Sequence, residues 1–97
     1  MNDLNHAIAL YVGWNVSSYP NEDEARVLDR FGEAKGAKLV ERVRSLIEEL
    51  QQIQPNWEKH DLVSASKWAV AKLASRHWTL NGEAKAALEW IYSWWWK

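Results

Sequence analysis

The side chains of this chain that could do chemistry are three histidines, scattered serines, two acidic clusters and eight tryptophans. Asp3 and His6 form the one His/carboxylate pair at helical ligand spacing, three residues apart. A di-metal bundle site needs carboxylate and histidine motifs from several helices. His60 and Asp61 are adjacent, and neighbouring side chains do not face each other on a helix. The histidines therefore read as surface or capping residues, and no metal or cofactor is expected. Cysteine is absent, which removes disulfides, thiolate zinc sites and thiol nucleophiles.

Serine stands at positions 17, 18, 45, 64, 66, 75 and 93, never within a Gly-x-Ser-x-Gly elbow. Ser66 and His77 share a helix face but lie three turns apart, too far to touch. On an apolar face, His77 reads as a hydrogen-bonded core or boundary residue. Gly32 and Gly36 bracket Glu33-Ala34-Lys35 without a phosphate-binding pattern, which reads as a helix stop and restart. Glu22-Asp23-Glu24 suits a helix N-terminus, and Glu48-Glu49 suits a solvated helix face. No catalytic residue is predicted, and a non-enzymatic role is expected.

The tryptophans remain. Four of the eight, Trp90, Trp94, Trp95 and Trp96, crowd the last residues. Successive helical residues point about 100° apart, so three Trp in a row cannot all face one core. Trp94 and Trp95, with Trp14, are expected to fill the core. Trp68, Trp90 and Trp96 are the expected surface tryptophans, with Lys72 close to Trp68 in sequence.

The positioning elements follow from apolar spacing. An all-α fold is expected: a compact bundle of four main helices at about 3–13, 34–54, 58–77 and 83–95, plus a short helix at about 22–31, in one domain covering 1–97. Leu4, Ala7, Ile8 and Tyr11 make the first stripe, ended by Gly13. The loop of Trp14 to Asn21 carries Ser17-Ser18 and Tyr19-Pro20, and its aromatics suggest that it is pinned to the body. Asn21 and Glu24 look like a capping box for the short helix, with Val27, Leu28 and Phe31 facing inward. Leu39, Val43, Leu46, Leu50 and Ile53, widened by Val40 and Ile47, form the clearest stripe, and Pro55 ends it.

On the fourth helix, capped by Asn56 or Asp61, the inner face is Leu62, Ser66, Ala69, Val70, Leu73 and His77. Ser64, Trp68, Ala71, Ser75 and Trp78 lie opposite. Thr79 or Asn81 caps the fifth helix. Its face is Ala84, Ala87, Leu88, Ile91, Trp94 and Trp95, with Trp90 on one flank and Tyr92 and Trp96 on the other.

Composition bounds the function. Apolar residues make up 47% of the chain and charged residues 26%, which supports a folded core rather than disorder. The formal net charge is −1, so no global field draws nucleic acid or an anionic membrane. No apolar run approaches the roughly 18 residues of a membrane span. The first six residues lack the basic and apolar regions of a secretory signal, and a cytoplasmic setting is expected. The stretch Ala86 to Trp94 resembles the endings of small bacterial proteins, a likeness of one helix that carries no functional motif.

The expected function is a protein-interaction module. It would bind another protein, or a second copy of itself, through an aromatic patch on the fourth and fifth helices: Trp68, Trp90 and Trp96, with Lys72. Trp suits such surfaces because it offers a large rigid area with little rotamer loss. One alternative is nucleic-acid binding by Lys67, Lys72, Arg76 and Lys85 with stacking Trp. Five basic against three acidic residues from position 61 onward is a thin charge for it. The same thinness argues against a membrane surface. The other alternative is a small-molecule site lined by Trp with His77, Tyr11 or Tyr92 as polar groups. Which tryptophans are exposed separates core filler from binding surface.

Overall fold

A computed structural model describes residues 3–77 and 79–96. Five helices follow one another: α1 (Asp3–Val12), α2 (Glu24–Phe31), α3 (Glu33–Gln51), α4 (Leu62–Arg76) and α5 (Gly82–Trp95). There is no strand among the described residues. α1 packs on α3 and α5, α2 lies along α3, and α4 lies along α5. The helices share one core, to which every helix contributes.

α1 ends as its glycine requires. Gly13 has φ +87°, and its N–H reaches Leu10 O while the N–H of Trp14 reaches Ala9 O, a Schellman-type closure. A Cβ on Gly13 would sit 3.0 to 3.1 Å from Ser17, Asn21 and Arg26, so the site is closed as well as left-handed. Arg26 then ties the following loop down. Its guanidinium donates to the carbonyls of Leu10 at 2.6 Å, Tyr11 at 3.2 Å and Asn21 at 2.6 Å. A charged donor on several backbone acceptors is a strong arrangement. It holds the α1–α2 loop in place, although Tyr19 in that loop is exposed.

The helix bounds differ from expectation mostly where a cap intervenes. α2 starts at Glu24 because Asp23, not Asn21, accepts the N–H of Ala25; the Asn21 amide oxygen takes Arg26 instead. Gly32 ends α2 and begins α3 without a linker, with φ +85°. The two helices approach so closely at Gly36 that an added Cβ would lie 3.0 Å from Leu28 Cα. α3 stops at Gln51, three residues early. Ile53 makes only a tight turn back to Leu50 O, and Pro55 keeps Gln54 out of the helical region. Asn56 caps a local turn through the N–H of Glu58, so α4 starts four residues late, behind the Asp61 cap on Ser64 N. Asn81 caps α5 through Ala84 N. Trp78, assigned to the outer face of α4, lies outside the described residues.

The core follows the expected stripes on α1, α3 and α4, with Leu4, Ile8, Val43, Leu50, Val70 and Leu73 all buried. α5 is the exception, and its face is turned. Tyr92, expected on a flank, is fully buried, whereas Trp94, expected in the core, is 45% exposed. Trp95 and Trp14 are half-buried against the core rather than inside it. The reason is polar. The Tyr92 hydroxyl donates to the Ile53 carbonyl at 2.6 Å, in the buried turn just past the end of α3. A buried phenol needs such a partner, and a carbonyl freed by helix termination needs a donor. Rotating α5 to bury Trp94 would withdraw Tyr92 and leave both unsatisfied.

A second buried polar group fixes the other end of α5. Asn5, 4% exposed, donates to Thr79 O at 3.0 Å and accepts from Asn81 N at 2.9 Å. One amide on α1 thus clamps both sides of the α4–α5 loop. At the same end of α1, Asp3 pairs with Lys35 of α3, which holds its carboxyl below the usual carboxylate range.

Three outcomes are expected. Asn5→Ala removes both clamp bonds from a buried site and should cost about 2 kcal/mol in urea unfolding. Tyr92→Phe should cost about 1–2 kcal/mol by leaving the Ile53 carbonyl unpaired. Burial raises the Tyr92 pKa above its ordinary value of 10.0. Its contribution is therefore complete below that value and is lost as the pH rises through the folded-state pKa. Unfolding midpoints across alkaline pH should fall less steeply in Tyr92→Phe than in the parent chain.

Candidate functional site

The four residues singled out in sequence have three separate sets of aromatic partners. Trp68 is half-buried on α4, and its indole stacks on the His60 ring at 5.5 Å. The Lys72 ammonium sits over the same indole, 5.3 Å from its centroid. Trp68 and Lys72 therefore satisfy each other on one flank of α4. Trp96 is 38% exposed and meets Trp57 edge-on at 5.8 Å, beyond the C-terminal end of α5. Trp90 is half-buried on α5 and meets Trp14 edge-on at 5.4 Å. Residues Leu62 and Ser66, which face the Trp90 side of α4, precede Trp68 by six and two positions. Such separations are roughly 120° and 160° around a helix, which puts Trp68 on another side.

Trp90 belongs instead to a groove between α4, α5 and the α1–α2 loop. One part, about 360 Å3, is lined by Trp14, Leu62, Val63 and Ser66 opposite Glu89 and Trp90. A second part, about 340 Å3, shares Leu62, Trp90 and Ser93 with the first and extends to Pro20 and Trp94. At its mouth Trp94 stacks on Tyr19, with ring centroids 6.0 Å apart and planes 22° from parallel. Both rings are about half exposed, and Val63 is 64% exposed. The groove is open along its length, and neither part is lined by Lys or Arg.

Sequence reasoning missed Ser18, Pro20, Leu62, Val63 and Glu89 as groove residues, and Tyr19 as the ring stacked on Trp94. Val63 carried a signal: it is a β-branched apolar residue beside the α4 stripe, where a polar residue would be expected on a solvated face. Trp57 was available only as an aromatic in a loop.

The remaining chemical candidates are spoken for. Asp3 and His6 do not converge: Asp3 pairs with Lys35, and His6 lies 3.5 Å from Glu83. No group of three or more metal-ligating side chains converges among the described residues. His77 Nε2 meets Glu49 at 2.8 Å, and Arg76 meets the same carboxylate at 3.0 Å. These bonds hold the Glu49 carboxyl below its usual range, His77 first and Arg76 next. The three link α3 to α4, and they take Arg76 out of any free basic surface. His60 Nδ1 lies 2.6 Å from Ser64 Oγ, a Ser–His contact across one helical turn. Among the described residues no carboxylate holds the other ring nitrogen of His60, so the orienting group of a nucleophilic triad is missing there. No helix among the described residues is long and apolar enough to cross a membrane.

Comparison of the chain with models of protein families, with curated proteins and with solved structures finds no match.

The division between core and groove aromatics is measurable. Trp94→Ser should change the unfolding free energy by less than about 1 kcal/mol, since half the ring is already in water. Tyr92→Ala, two residues away, should cost about 3–5 kcal/mol. Chemical denaturation of the two variants side by side checks the contrast.

Proposed function

We propose that this chain is a protein-interaction module whose binding surface is the aromatic groove between α4, α5 and the α1–α2 loop. Its occupant is the apolar face of an amphipathic helix from another protein. A cytoplasmic setting suits a chain without cysteine. The observation that carries the reading is the stacked pair of Trp94 and Tyr19, 45% and 54% exposed, with Trp94 in the lining of a groove that Trp14 and Trp90 also line.

The core does not need that exposed area, and water does not favour it. Covering the exposed half of one indole, on the order of 100 Å2, contributes about 2–3 kcal/mol at the usual coefficient. Large rigid aromatics of this kind dominate binding at interface centres. An open, elongated apolar groove between helices suits a helix face better than a small ligand, which binds where most of its surface can be enclosed. Of the residues expected at the interface, Trp90 lies in this groove. Trp68 with Lys72, and Trp96, lie outside it.

The test is a fluorescence titration of the chain with designed amphipathic helical peptides of about 16 residues. Binding is expected to shift Trp emission and to weaken at least tenfold in Trp94→Ser, a loss of about 1.4 kcal/mol. Light scattering on the free chain should give a monomer. A dimer that dissociates on Trp94→Ser would make the occupant a second copy. Salt-dependent quenching by oligonucleotides in place of peptide binding would transfer the function to nucleic acid.

A further inference from the structure

The polar groups of the groove are unevenly supplied. Ser66 donates its hydroxyl proton to the carbonyls of Leu62 and Val63, at 3.1 and 2.9 Å. Ser93 donates to Trp90 O at 2.8 Å. Both hydroxyls therefore have only acceptor lone pairs left. Ser18 lines the part that reaches Trp94, and Glu89, half-buried beside Trp90, is the carboxylate of the other part. The ion pairs of the described residues use Asp3, Asp23, Glu24, Glu49 and Glu83, and Glu89 is in none of them. Lys85, one turn earlier on α5, leaves it unpaired, in the Lys-before-Glu order that is the weaker of the two.

The groove thus contains one carboxylate outside the ion pairs, the hydroxyls of Ser18, Ser66 and Ser93, and the indoles of Trp14, Trp90 and Trp94, with no Lys or Arg in its lining. We infer that the groove selects a helix that carries one arginine or lysine within its apolar face, seated against Glu89 and the Trp90 ring. This rests on the docking reading above and names the partner's chemistry. The carboxylate supplies the charge complement, and the indole face adds cation–π attraction. The aliphatic stem of either side chain lies along Leu62 and Val63 without cost. A partner with a carboxylate at that position would face Glu89 across a partly desolvated groove and be rejected.

The experiment uses three peptides of one amphipathic sequence, differing only at the central apolar-face position: Arg, Gln or Glu. These residues have similar helix propensities, so peptide folding is not the variable. Against the parent chain the order of affinity should be Arg, then Gln, then Glu, with Arg over Gln roughly threefold to tenfold and shrinking as salt is added. Glu89→Gln should bring the Arg/Gln ratio close to one, and Glu89→Lys should invert the order. Circular dichroism and unfolding midpoints establish that both variants fold. If the peptides bind with the same Arg/Gln ratio in the parent chain and in Glu89→Gln, the cation preference is wrong while the docking groove stands. If none of the three binds, the docking reading itself is overturned.

Discussion

The hydrogen bond from the Tyr92 hydroxyl to the Ile53 carbonyl sets the rotation of α5, and the rest of the surface depends on that rotation. The bond is buried, 2.6 Å long, and joins residues 39 apart. It satisfies two needs at once: a phenol drawn into the core and a carbonyl released where α3 stops. With Tyr92 inward, Ala84, Ala87, Leu88 and Ile91 face the core and Trp95 packs at its edge. Trp90 and Trp94 then fall on the outward side, where they meet Trp14 and Tyr19. The 45% exposure of Trp94 and the 54% exposure of Tyr19 are therefore a consequence of core chemistry.

Two further polar anchors make that geometry rigid. Asn5 holds the loop that enters α5, so the helix is fixed at its start as well as near its end. Arg26 holds the loop that carries Trp14 and Tyr19 against the last turn of α1. The two walls of the groove are therefore set by separate sets of buried or half-buried hydrogen bonds. Walls fixed in this way would lower the ordering cost of the docking proposed above.

Much of the architecture was legible in the chain. The stripe from Leu39 to Ile53 has a helical period so regular that local rules suffice, and Gly13, Asp61 and Asn81 act where helix caps are expected. What local rules could not supply was the choice between Tyr92 and Trp94. Trp94 continues the Ala84–Ile91 stripe and Tyr92 flanks it, so by spacing and apolarity alone the indole wins. The decision came from an acceptor on a turn that is distant in sequence. The same holds for Trp68: it stands opposite its core stripe, and the i,i+4 spacing brings Lys72 onto it, but nothing in the spacing foretells that His60, from the preceding loop, stacks on the same ring. Glu89 reads as an ordinary solvated acid until the groove around it is seen.

Residue-level hydroxyl-radical footprinting of the folded chain, read by mass spectrometry, tests the central claim most directly. The account predicts fast modification of Trp94 and Tyr19 and strong protection of Tyr92, with protection lost only on unfolding. Modification of Tyr92 at a rate comparable to Trp94, or protection of Trp94 in its place, would contradict the rotation of α5 and remove the groove built on it.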